Sequence, residues 1–238
     1  MIKIETHCHS KGGSSCGTCT AKEIVEFYKN AGYGGIVLTN HYSKSIVEDY
    51  YGAKSDKEGD DKFFSLYDEF DKQAKKEGLK TFFGIEVRIN STQTEYVLYG
   101  FDREFLYKNP RLYEYTQKEL FDLANKNDLF MFQSHPFRDG VVAGDPRYLH
   151  GAESFNGHYH HVNRNDLAKK FCEDNNLIKL SGTDFHHDDQ PITAGIYIPE
   201  NINTNKELTD YIRGNDFKRI ENADLYITSL KRHKGDAF

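Results

Sequence analysis

Met1-Ile2-Lys3-Ile4-Glu5-Thr6-His7-Cys8-His9 opens the chain, a short run with strand character that ends in two histidines. A Thr20-x-x-Glu23 capping box follows and predicts a helix over Thr20–Ala31, stopped by Gly32. Gly35–Thr39 then reads as the next strand, and the alternation continues along the chain. Further strands are expected at Thr81–Arg88, Glu95–Phe101, Leu129–Ser134, Leu149–Phe155 and Leu177–Ser181. Further helices are expected at Asp61–Glu77, at Arg111–Asn125 after Pro110, at Asn163–Asn175 from an Asn cap, and at Lys206–Arg213. Strands alternating with helices build βαβ units and a mostly parallel sheet. Six or seven such units favour a closed barrel over an open Rossmann sheet. No Gly-rich dinucleotide or phosphate loop follows the first strand, which weakens the Rossmann alternative. The polar segment Ser43–Asp60 reads as a long loop bordering a pocket. No linker divides residues 1–238, so a single α/β domain is expected.

Composition narrows the class. With 37% hydrophobic and 14% aromatic residues, the 238-residue chain suits an ordered globule. A net charge of −6 and a pI near 6.0 argue against an electrostatic nucleic-acid binder, so no nucleic-acid partner is expected. The opening residues carry no apolar leader core, and no stretch approaches the roughly 20 apolar residues of a membrane span. A cytoplasmic protein without membrane association is the expectation. Four cysteines, Cys8, Cys16, Cys19 and Cys172, are too few and too clustered for a disulfide framework. Cys16-Gly-Thr-Cys19 lies in a Gly/Ser-rich loop with no second C-x-x-C, which favours reduced thiols over a zinc knuckle or a redox pair.

Chemistry gathers at the strand ends. His7 and His9 close the first strand, His41 follows the second, Glu86 lies in the third and His135 follows the fifth. Glu153 lies in the sixth strand, and Asp184 and His186 follow the seventh. In a barrel of parallel strands these ends share one face, the face where active sites form. Residues i and i+2 of a strand point the same way, so His7 and His9 can grip one ion. Glu86 and Asp184 can complete its shell, and one carboxylate can bridge two ions. Such ions polarise an electrophile and generate hydroxide near neutral pH, which is what a hydrolase needs. A single histidine at a strand end is ordinarily a hydrogen-bonded structural residue, and Glu86 has Arg88 nearby to pair with. The repetition at successive strand ends is what favours a metal centre. His158-Tyr159-His160-His161 falls in a turn and reads as a solvated loop.

These residues also compose an ordered set of motifs. His7-Cys8-His9, Thr39-Asn40-His41, Gly84-Ile85-Glu86, Ser134-His135-Pro136 and Gly182-Thr183-Asp184-Phe185-His186 resemble, in order, the motifs of the PHP (polymerase and histidinol phosphatase) family. The resemblance implies a distorted (β/α)7 TIM-like barrel with up to three divalent metal ions. It also implies, as the usual activity, phosphoester hydrolysis. Carried over, His7, His9, Glu86 and Asp184 would hold one ion. Glu86 would bridge to a second held by His135, and His41 and His186 would hold a third. Two positions depart from the family pattern. Ser14-Ser15-Cys16 stands where a histidine or aspartate is common, and Glu95-Tyr96-Val97-Leu98 where a histidine is common. Cys16 is therefore the candidate replacement at the third ion, and Glu95 or Tyr96 at the second. One or two tightly held ions and a weaker third are expected, each zinc, iron or manganese. Asn40 replaces a usual aspartate and removes an outer carboxylate.

The expected activity is hydrolysis of a small-molecule phosphomonoester by a metal-activated hydroxide, histidinol-phosphatase-like in type. Arg138 is the expected phosphate contact, ahead of Arg88, because guanidinium matches phosphate geometry. Asp184 or His186 would protonate the leaving group. Two alternatives stand beside this one: hydrolysis of an amide or cyclic amide by the same constellation, and a noncatalytic metal- or ligand-binding protein with a partly decayed site. No residue specifies the substrate, and oligomeric state is not legible.

Overall fold

A computed structural model describes residues 1–234. The elements run β1 (Ile2–Cys8), α1 (Ala21–Asn30), β2 (Gly35–Leu38), β3 (His41–Tyr42), α2 (Asp56–Lys76), β4 (Lys80–Arg88) and β5 (Glu95–Tyr99). They continue as α3 (Arg103–Lys108), α4 (Gln117–Lys126), β6 (Phe130–Gln133), β7 (Gly151–Asn156), α5 (Asn165–Asp174) and β8 (Ile178–Gly182). The last are β9 (Ala194–Ile198), α6 (Asn205–Arg213), β10 (Arg219–Glu221) and α7 (Ala223–Lys234). The sheet order is β10-β9-β1-β2-β4-β5-β6-β7-β8, with β3 also on β4. Beyond β8 the chain returns to β1: Phe185 N donates to His7 O at 3.2 Å, and His9 N donates to Phe185 O at 3.0 Å. The sheet thus curls into a nearly closed barrel, the distorted TIM-like α/β fold expected.

The distortion has local causes. β5 runs antiparallel to both β4 and β6. Only residues 89–94 join β4 to β5, too few for a parallel crossover, so the chain must turn back as a hairpin. β9 and β10 pair antiparallel along the far side of β1. Between β1 and β2 the register passes from Glu5↔Ile36 to Cys8↔Leu38, three residues against two. This bulge flips the strand's alternation, so Ile4 and His7 both face the barrel interior. Ile4 packs there with Val37, Phe82, Val97, Phe132 and Leu180, closing the barrel beneath the histidines.

Several boundaries differ from the sequence reading. Residues 43–60 are not a long loop: Ser45–Tyr50 forms a π-helical turn and α2 starts at Asp56, where Ser55 caps Glu58 N. Ile46, Val47 and Tyr51 drive this order by packing against Phe63 and Phe64. The segment after Pro110 begins with left-handed Arg111 (φ 54) and a 3₁₀ turn, and α4 waits for the Thr116/Glu119 capping box. At α5 the N-cap position is Arg164 (φ 45), because the Asn163 side chain is spent on the carbonyls of Asn156 and His158, each at 3.1 Å. Among the described residues no helix is long and apolar enough to cross a membrane.

Candidate metal centre

The strand ends converge as the sequence implies. His7, His9, His41, Glu86, His135, Asp184 and His186 meet at one mouth of the barrel, and all but His41 are buried. Glu86 of β4 lies at the centre. Its Oε1 is 3.2 Å from His7 Nε2 and 3.3 Å from His135 Nε2; its Oε2 is 2.7 Å from His41 Nδ1 and 3.5 Å from His9 Nε2. Asp184 Oδ1 stands 3.5 Å from His7 Nε2 and 3.3 Å from His9 Nε2. The donor atoms of His7, His9 and Asp184 lie within 4.8 Å of one another, and so do those of His9, His41 and His186.

Neighbouring groups hold these rings in place. His7 Nδ1 donates to Glu153 Oε1 at 2.7 Å, which turns Nε2 toward Glu86. The other Glu153 oxygen accepts from His135 N and Asn156 Nδ2, each at 2.9 Å. The Asp184 carbonyl accepts from His158 Nδ1 at 2.9 Å, His186 Nδ1 at 3.0 Å and Gln190 Nε2 at 3.0 Å. Two residues of the cluster sit in left-handed backbone, His135 at φ 30 and Asp184 at φ 53, and strain of this kind gathers at functional sites. The motif glycine Gly182 serves packing: a Cβ there would stand 2.6 Å from Glu153 Oε1 and from His7 Cβ.

The histidines and carboxylates shift one another strongly. Burial alone would raise the Glu86 carboxyl, but His7, His41 and His135 hold it well below its ordinary range. Asp184 behaves likewise: burial opposes its charge, and His7, His9 and His186 overcome that. Burial opposes charge on His41, yet Glu86, Cys16 and Glu95 raise it to about 10. His9 is the exception. Burial, then His186 and His41, keep it neutral. Its two ring nitrogens have no hydrogen-bond partner among the described residues, nor do His7 Nε2, His41 Nδ1, both His135 ring nitrogens and Glu86 Oε2. His41 Nδ1 and Glu86 Oε2 are close but off the hydrogen-bonding direction. Unpaired buried atoms on this scale are costly, about 1–3 kcal/mol each, and cations in the cluster would satisfy one nitrogen of each ring and the Glu86 oxygen. The donor set, imidazole and carboxylate, suits zinc, iron or manganese.

Rim residues divide. Cys16 faces His41 and His186; burial would raise its thiol, but those imidazoles bring it down to about 5, in the range of a thiolate ligand. Cys19 is buried among apolar residues of α1 and α2, and both Cys16 and Cys19 are free thiols. Arg138 lines the cleft, with Nη2 3.0 Å from Glu95 Oε2 and Nη1 3.8 Å from Asp184 Oδ2. Of the two suggested replacements, Glu95 enters the site: its oxygens lie 3.4 Å from His41 Nδ1 and 3.3 Å from His135 Nε2. Because β5 is antiparallel, its first residue reaches the mouth where β4 ends, with Arg88 opposite Glu95. Tyr96 points the other way into the apolar core and is excluded as a ligand. The solvated-loop reading of residues 158–161 is also overturned. His158 and Tyr159 are buried, and His158, His160 and His161 line the cleft.

The mouth of the barrel thus gathers imidazoles and carboxylates around a cleft, an arrangement able to hold metal ions. The PHP domain family model matches residues 5–217, and the chain is a member of that family. No curated protein matches the sequence. Among solved structures the fold is similar to PsfC from Pseudomonas syringae (TM-score 0.68, 15% identity, 98% of each chain covered). It is also similar to a two-domain protein from Bacteroides vulgatus containing a predicted PHP-like metal-dependent phosphoesterase (TM-score 0.66, 17% identity, 98% of this chain and 69% of that one). Endonuclease Q in complex with duplex DNA bearing an abasic lesion is a third (TM-score 0.59, 15% identity, 92% of this chain and 58% of that one).

Proposed function

We propose that this chain hydrolyses a small phosphomonoester at a metal centre held by His7, His9, Glu86 and Asp184. His135 and Glu95, together with Glu86, would hold a second ion. His41, His186 and Cys16 serve a third, weaker position. The observation that carries this reading is the set of buried, unpartnered donor atoms on His7, His9, His41, Glu86 and His135. Divalent ions bound there supply water made acidic enough to ionise near neutral pH and offset charge on the phosphoryl oxygens. Glu86 and Asp184 would hold the ions and offset part of their positive charge, and Glu153 keeps His7 in the tautomer that presents Nε2. Arg138 on the cleft wall receives the phosphate, exchanging its contact with Glu95 for the ester oxygens. His186 lines the cleft, whereas Asp184 lies beneath it, so with the weak third position empty His186 is the better placed of the two to return a proton to the leaving alkoxide.

A small ester is favoured over a polymer by the size of the cleft, about 320 Å³, and by the net charge of −6. The test is a panel offered to metal-loaded protein: aryl and sugar phosphates, a phosphodiester, duplex DNA with an abasic lesion, and a cyclic amide. Inorganic phosphate released from the monoesters is the expected result. Cleavage of only the DNA or only the amide would replace this reading with that substrate class. Turnover of none would favour a noncatalytic binding protein.

Glu153→Gln is expected to weaken metal binding about 10–100-fold, since removing a carboxylate that orients a ligating imidazole typically does so. Competition against a chromophoric chelator measures this directly. An unchanged affinity would separate Glu153 from the centre.

A further inference from the structure

We propose that His158, His160 and His187 form a further site for a divalent ion of the zinc class at the mouth of the cleft. The three imidazoles come from two loops, one after β7 and one after β8, and one donor nitrogen of each lies within 4.8 Å of the others. His158 is only 5% exposed, and its Nδ1 lies 2.9 Å from the carbonyl oxygen of Asp184. A carbonyl accepts but never donates, so Nδ1 carries the proton and Nε2 keeps a free lone pair. That is how ligating imidazoles are commonly set. The His160 ring stands 5.2 Å from that of His158 and 4.7 Å from that of His187. On its other side it stacks at 4.1 Å on His233 of α7, which restricts the ring. Three nitrogen donors with one position open suit tetrahedral zinc.

His158 borders the deep centre, since its ligand atom also lies within 4.8 Å of those of Asp184 and His186, whereas His160 and His187 belong to the rim site alone. An ion there would fasten the loop after β7 to the loop after β8 and add positive charge to the wall formed by Arg88 and Arg138.

Zinc is the probe. Wild-type, His160→Ala and His187→Gln chains are stripped with chelator, reloaded, dialysed and counted by elemental analysis, with circular dichroism to establish folding. The same rim substitutions are repeated in a His9→Ala background. One equivalent fewer in each rim variant, in both backgrounds, is the expected result, and the comparison stays readable even where the deep centre holds nothing. Equal counts in wild type and the folded rim variants would overturn the site.

Discussion

Alanine at His9 is expected to lower phosphoester turnover by about 10³-fold or more while leaving the chain folded. A loss of that size corresponds to about 4 kcal/mol of transition-state stabilisation, in the range seen when a principal electrostatic group is removed. His9 is fully buried and lies between His41 and His186, with ring centroids 4.3 Å from each. Among the described residues both of its ring nitrogens lack partners, so its side chain contributes little to the fold through hydrogen bonding. The backbone bond from His9 N to Phe185 O, which helps close the barrel, survives the substitution. Steady-state kcat/KM beside a thermal melt separates the two effects. A variant within tenfold of wild type would remove His9 from the chemistry, and a variant that unfolds would assign it to the structure.

Glu5→Ala is expected to have the opposite signature, a large loss of stability. Glu5 is fully buried at the β1 bulge. Its Oε1 accepts the backbone N–H groups of Thr6 at 2.8 Å, His7 at 2.8 Å and Thr183 at 2.9 Å, and its Oε2 accepts the Tyr28 hydroxyl at 2.7 Å. The carboxylate therefore ties β1 to the loop after β8 at the seam where the barrel closes, between His7 and Asp184. Alanine leaves three backbone donors unpaired, at about 1–3 kcal/mol each, so at least about 3 kcal/mol is expected. For a chain of this length that lowers Tm by roughly 6–12 °C. Glu5→Gln keeps an acceptor toward the backbone and can donate to Tyr28, so it should recover most of the loss. Equal stability of Glu5→Ala and wild type would contradict the seam role.

The difference between these two residues shows what the sequence made legible. His9 stands in a recognisable spacing at the end of an apolar strand, and so do His41, His135 and Asp184 at theirs. Parallel strands turn such repetition into a shared location. Glu5 carries no such mark, because a bulge hidden in the β1–β2 register decides where it points. Glu95 was ambiguous with Tyr96 for a related reason: adjacent strand residues face opposite sides, and only the direction of β5 shows which one reaches the mouth. The histidines at 158–161 looked like a solvated turn because their burial comes from residues distant in sequence, the loop after β8 and α7. β9, β10, α3 and α7 escaped the reading since they are short, edge-placed or weakly periodic.

The central claim is that the histidine and carboxylate cluster holds metal. Metal bound per chain, by elemental analysis of protein purified without chelator or a metal-binding tag, tests it most directly. The account predicts zinc, iron or manganese at one equivalent or more, with a clear loss in His9→Ala. A wild-type chain that stays empty after metal is supplied, or a His9→Ala chain that holds as much as wild type, would contradict it.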